Sequence, residues 1–216
     1  MKIVSIMAAC VVMLGCVGGS VASEEDWMYF SDYAVSWKMN KENTLSLTPG
    51  VWFNNDMQDS FYKWVGLNHV YSWGHGVSSL LGLQYDETKN KKGEWIDKQY
   101  IILGPVYKHA FGDICTLNTQ ARVFFRTNDE ADFDHWRPRI GIERKIGSVV
   151  WELADELRFD LTGDRDEFYK NRVFLGGTYQ ISKLLKINLS YLRESNQANG
   201  TWVDSNGVIS KLIVTL

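Results

Sequence analysis

From Tyr33 onward, apolar and polar positions alternate with a period of two for almost the whole chain. Tyr33, Val35, Trp37 and Met39 alternate with Ala34, Ser36, Lys38 and Asn40, and Leu45, Leu47, Val51 and Phe53 with Ser46, Thr48, Gly50 and Asn54. Leu117, Ala121, Val123 and Phe125 oppose Asn118, Gln120, Arg122 and Arg126; Trp136, Pro138, Ile140 and Ile142 oppose Arg137, Arg139, Gly141 and Glu143. Val149, Trp151, Leu153, Leu157 and Phe159 oppose Glu152, Ala154, Glu156, Arg158 and Asp160. Val173, Leu175, Tyr179 and Ile181 oppose Arg172, Gly176, Thr178 and Gln180; Leu185, Ile187, Leu189 and Tyr191 oppose Lys186, Asn188, Ser190 and Glu194. Successive side chains of a strand point to opposite faces, so each segment reads as a strand with one apolar and one polar face. The chain is all-β.

A soluble lipocalin-like or periplasmic β protein would alternate in the same way, with its apolar face inside. Two features favour a membrane barrel instead. The segments run to about ten residues, the length of a tilted spanning strand, where soluble strands average about five or six. Their polar faces also carry charges in successive strands, which suits a wet lumen. The expected fold is an antiparallel transmembrane β-barrel. Tyr33, Val35, Trp37, Ile140, Ile142, Leu175, Tyr179, Ile187 and Leu189 are expected on its lipid face.

Links between segments alternate in length. Short turns fall at Lys41-Glu42-Asn43, Gly74-His75-Gly76, Phe111-Gly112-Asp113, Gly147-Ser148 and Ser182-Lys183; longer polar links fall near 56–60, 89–95, 128–135, 162–170 and 195–204. Outer-membrane barrels have short periplasmic turns and longer outside loops, so the second set is expected outside. Eleven segments stand out, whereas bacterial barrels normally have even strand numbers. A short extra strand from Glu24 to Phe30, turning near Ser31-Asp32, predicts twelve. The other arrangement is ten strands with an N-terminal segment threaded through the lumen.

Aromatics fit the same architecture. Trp27, Tyr29, Trp37, Trp73, Trp95, Trp136, Trp151 and Trp202 lie mostly near segment ends, where amphipathic rings suit membrane interfaces. Trp52 and Trp64 fit an interface or a core equally well. The chain ends with Leu212, Val214 and Leu216 alternating with Lys211, Ile213 and Thr215, as expected of a closing strand.

The first 23 residues follow a different rule. Lys2 is followed by an apolar stretch from Ile3 to Gly15, then by small residues up to Ser23 and the acidic Glu24-Glu25-Asp26. This pattern predicts a signal peptide over 1–23, cleaved after Ala22 or Ser23, and a barrel domain over 24–216. A lipidated Cys16 after Met13-Leu14-Gly15 is the competing reading of the same stretch. Removal of the signal leaves Cys115 alone, so no disulfide framework is expected. Beyond the signal, no apolar run approaches the roughly 20 residues of a spanning helix. Net charge is −3 with both signs dispersed, so nothing points to nucleic acid as a partner.

One family shares these patterns. Arg137-Pro-Arg139-Ile-Gly-Ile-Glu143, then Trp151-Glu-Leu-Ala-Asp-Glu-Leu-Arg-Phe159, resemble the Arg-rich strand and the following acidic strand of the domain of unknown function 2490 family. Asn171-Arg-Val-Phe-Leu-Gly-Gly-Thr-Tyr-Gln-Ile181 and Lys186-Ile-Asn-Leu-Ser-Tyr191 resemble its C-terminal hairpin. Oligogalacturonate-type porins of similar length are a weaker match. The resemblance implies an outer-membrane barrel and brings no established activity.

The candidate chemistry is the charge set on the polar faces: Arg122, Arg126, Arg137, Arg139, Glu143, Glu152, Glu156, Arg158 and Arg172. Alternation points all of them into the lumen, where neighbouring strands bring Arg and Glu within pairing distance. They form either a charged constriction for small solutes or an Arg–carboxylate ladder that fills a narrow barrel. His69, His75, His109 and His135 lack ligand spacing on any one strand, so no metal site is expected. Ser72, Ser78, Ser79 and Ser190 have no distinctive base partner, so neither catalysis nor a cofactor is expected. The acidic links 128–134 and 163–167 carry oxygen ligands without the spacing of a calcium loop and read as solvated outer loops. The resulting expectation is a Gram-negative outer-membrane barrel in contact with lipid and lipopolysaccharide. It is either a passive channel for small hydrophilic solutes or a closed structural or interaction barrel.

Overall fold

The computed structural model describes residues 27–54, 59–90, 92–128, 134–162, 168–198 and 200–216. The alternating segments form eleven strands: β1 (Trp27–Lys38), β2 (Asn43–Asn54), β3 (Asp59–Gly74), β4 (Val77–Lys89), β5 (Trp95–Phe111), β6 (Cys115–Arg126), β7 (His135–Ile146), β8 (Val149–Asp160), β9 (Phe168–Gln180), β10 (Leu185–Ala198) and β11 (Thr201–Thr215). Each strand pairs antiparallel with the next in sequence, and β1 closes the barrel on β11. That closing pair is parallel, in register from Trp27↔Asn206 to Ser36↔Thr215.

Among the described residues the barrel therefore has eleven strands, neither twelve nor ten; the expected signal peptide over 1–23 and the first part of the expected extra strand, 24–26, lie outside them. No turn forms at Ser31-Asp32; β1 runs straight through and is part of the wall. Asp32 keeps the alternation by pointing inward, where Trp52 Nε1 donates to its Oδ1 at 3.1 Å. Its ladder partner is Gly50, where an added Cβ would stand 2.4 Å from Asp32 Oδ1, so only a bare backbone leaves room for the carboxylate. A parallel seam satisfies both open edges, which lets an odd number of strands close without an exposed ladder.

The link expected over 195–204 is also corrected. β10 continues to Ala198 and β11 begins at Thr201, with Gly200 at φ 76° in the tight turn between them. The polar side chains there bond across the ladder: Ser195 Oγ and Arg193 Nη2 each donate to Asp204 at 2.6 Å. The expected acidic loops fall largely at 129–133 and 163–167, outside the described residues.

The five turns expected to be short lie at one end of the barrel, and the tight β10/β11 turn lies at the other. Leu216 N donates to Ser36 O at 2.8 Å, which fixes the end of β11 at that mouth. β1 starts at the opposite mouth, beside Asn206. Of the nine residues expected on the apolar outer face, seven are exposed, Leu175 and Leu189 at 52% and 61%, and Val35 and Ile142 are half-buried. Exposed aromatics stand at both ends of that face, with Trp27, Tyr85, Trp95 and Trp136 near the long links and Trp37, Trp73, Tyr107 and Trp151 near the short turns.

Inside, Met28, Phe30, Ala154, Phe174 and Leu192 form an apolar cluster, with Trp52, Phe61 and Ile209 packed against it. Phe61 and Tyr169 reach the lumen through two β-bulges. The β2/β3 register shifts at Trp52/Phe53 and the β8/β9 register at Arg158/Phe159, leaving one extra residue on β3 and one on β9. A bulge re-aims its extra side chain, and both aromatics are turned inward.

Candidate functional site

The lumen contains two cavities, one of about 360 Å³ toward the short turns and one of about 460 Å³ toward the long links. They share six lining residues: Phe30, Trp52, Tyr62, Arg137, Arg158 and Arg172. Three rings from β1, β2 and β3 thus face three guanidiniums from β7, β8 and β9. Phe30 meets Trp52 edge-on with centroids 4.6 Å apart, and Trp52 lies 4.3 Å from Tyr62. The Arg172 guanidinium sits 5.2 Å from the Trp52 ring centroid. β9 and β2 are not neighbours in the sheet, so this contact crosses the lumen and forms a waist.

Carboxylates hold most of the arginines. Glu156 accepts from Arg122 Nη2 at 2.7 Å and from Arg158 Nε at 3.3 Å. Glu194 accepts from Arg172 Nε at 2.5 Å and from Lys170 Nζ at 2.8 Å. Glu152 accepts from Arg139 Nη2 at 2.7 Å. Arg122 is on β6 and Glu156 on β8, so their pair steps over β7 and curves the charged layer across the interior. Arg139 lies over Phe174 at 4.5 Å and Arg137 over Phe124 at 3.8 Å, the range of a cation–π contact. Along the β3/β4 wall Tyr62 OH donates to Asp86 at 2.5 Å, and Gln84 Nε2 donates to the same carboxylate at 2.8 Å. Buried charges of this kind must be paired or hydrated, and these are mostly paired.

Of the nine charged residues expected in the lumen, Arg122, Arg137, Arg139, Glu152, Glu156, Arg158 and Arg172 line the central cavity. Arg126 and Glu143 do not. Arg126 is at the end of β6, where its Nε donates to Asn128 Oδ1 at 2.9 Å and ties the rim together. Glu143 is near the short turns, taking a bond from Asn118 Nδ2 at 3.3 Å with Lys108 Nζ at 3.8 Å. Both keep the inward phase, but at strand ends that phase leads to a rim.

Sequence reasoning missed the aromatic half of the site and part of its charge: Phe30, Tyr62, Asp86, Lys170, Glu194 and Lys211. A signal was present. Trp52, Phe124, Phe174 and Leu192 occur in the polar phase of their strands, and an apolar residue out of phase marks a filled interior. His69 Nε2 bonds Asn43 Oδ1 at 2.8 Å, and His135 stacks on Phe124 at 4.5 Å. Among the described residues, no three His, Cys, Asp or Glu side chains are grouped as metal ligands.

A family model described as "Protein of unknown function (DUF2490)" matches residues 27–205. The chain belongs to this family. The match covers β1 to β10 and the start of β11, so all of the waist and nearly all of the lumen lie within the DUF2490 region. No curated protein matches the sequence.

Proposed function

We propose that this DUF2490 protein is a closed barrel of the Gram-negative outer membrane, exported through its N-terminal signal. Its lumen is stoppered at the waist and does not form an open channel. The contact between Arg172 and Trp52 across the lumen carries this reading, because it narrows the interior where the two cavities meet. The outer face supports the membrane placement: large apolar side chains are exposed around the wall, with aromatics at both ends. A soluble monomer rarely exposes so much contiguous apolar surface, whereas a lipid-facing band requires it. Partners on this reading are lipid and lipopolysaccharide, met by the wall and outer links, and the chain has no catalytic role.

The test is conductance of the purified barrel in planar bilayers. The wild type is expected to give no steady current, and the double variant Trp52→Ala/Arg172→Ala to conduct. A stable ohmic conductance from the wild type overturns the closed reading and restores a passive channel for small hydrophilic solutes.

A further inference from the structure

The cavity on the short-turn side of the waist has two unlike walls. Strands β1 to β3 contribute rings, Phe30, Trp52, Tyr62 and Trp64, while β6 to β9 contribute the guanidiniums of Arg122, Arg137, Arg139, Arg158 and Arg172. With Lys211 the lining holds six cationic groups, answered by three lining carboxylates, Asp32, Glu152 and Glu156, and by Glu194 through Arg172, inside a chain whose net charge is −3. An excess of positive charge in a confined interior is costly unless an anion answers it.

That excess converges on one residue. Among the described residues, no carboxylate lies within ion-pair distance of Arg137, and its Nε is buried without a hydrogen-bond partner. The Arg122 Nε is buried and unbonded as well. Phe124 lies under the Arg137 guanidinium, with Cζ 3.8 Å from the ring centroid. A guanidinium with an unpartnered donor suits a carboxylate, which it can bind through two parallel bonds.

We propose that this cavity is a binding site for a small organic carboxylate carrying a planar ring. Arg137, helped by Arg122, takes the carboxylate, and the rings of Tyr62 and Trp64 take the planar face. A volume of about 360 Å³ lies within the range of small-molecule pockets. The site uses the waist of the closed-barrel reading but not its membrane placement, so binding in micelles and current in bilayers fail independently.

The test is calorimetric titration of the purified, folded barrel in detergent micelles at physiological salt. The probes are benzoate, the neutral benzamide and the ringless acetate. Benzoate is expected to bind saturably and at least tenfold more tightly than either of the others. Arg137→Gln is expected to weaken benzoate at least tenfold, while Arg193→Gln, on the outer face, leaves it unchanged. Heat-modifiable gel migration verifies that each variant is folded. If Arg137→Gln does not fold, the three-probe comparison on the wild type decides. Equal binding of benzoate and acetate, no binding of benzoate, or a folded Arg137→Gln variant with wild-type affinity overturns the proposal.

Discussion

Glu156 holds two guanidiniums at once, from Arg122 and Arg158, and is almost wholly buried. Removing its charge leaves both cations in the interior without that partner. Breaking a buried pair in this way costs about 3–5 kcal/mol, whereas an exposed pair is worth at most about 1 kcal/mol. Glu156→Gln is therefore expected to lower the unfolding free energy of the refolded barrel by that amount, read from a lower urea midpoint. Glu87→Gln, which removes the exposed contact with Lys63 at 3.9 Å and keeps an acceptor for the exposed Tyr85 hydroxyl, is expected to leave it nearly unchanged. Equal midpoints for the two variants would show that the luminal pairs add no stability. The charged half of the site was legible because Arg and Glu recur in one phase of successive strands. The aromatic half was harder to read. Phe61 and Tyr169 reach the lumen through bulges, and an inserted residue reverses the phase on which alternation depends.

At the scale of the strand, the outward phase makes a direct prediction. Leu175 stands midway along the outer face of β9 beside Leu153 of β8 and Tyr191 of β10. Arginine at a mid-bilayer site on a barrel wall costs roughly 2–4 kcal/mol, so Leu175→Arg is expected to destabilise the barrel in vesicles by that much. An unchanged midpoint would remove Leu175 from the lipid face. Strand positions were readable because apolar alternation runs for about ten residues in most of them. The end of β10 was not, because Ser195, Asn196 and Gln197 are as polar as a loop and are kept in the ladder by cross-strand bonds. The strand count was missed for a different reason. Periodicity identifies strands but says nothing about which edge each one meets, and evenness holds only if every pair is antiparallel. The seam can be tested through Ser36, which pairs with Thr215. In a Cys115→Ser background, Ser36→Cys/Thr215→Cys is expected to form an intramolecular disulfide on mild oxidation, seen by peptide mapping. Failure to cross-link while the barrel stays folded would argue against the parallel closure.

For the molecule as a whole, the membrane reading predicts where the mature chain is found. It is expected to fractionate with the outer membrane and to migrate differently on gels before and after heating. A soluble periplasmic pool would overturn this placement. An inhibitor of lipoprotein signal processing should leave maturation unaffected; sensitivity to it would assign Cys16 as a lipid anchor and displace cleavage after Ala22 or Ser23.

The parallel seam also dictates an order of events. Every other strand pair joins neighbours in sequence and can form as a hairpin as the chain is laid down. β1 and β11 instead bring together groups such as Tyr29 and Ser210, which are 181 residues apart. Pairing across such a separation carries the largest loop-closure cost in the molecule and comes late in folding. Until it forms, both β1 and β11 present unpaired backbone edges, each open to strands of other chains. The start of β1 must also reach the mouth opposite the end of β11 before the edges can match. Closure is thus a zippering of two distant strands running in the same direction, and it exposes the unfinished sheet to misassembly longer than any hairpin step does.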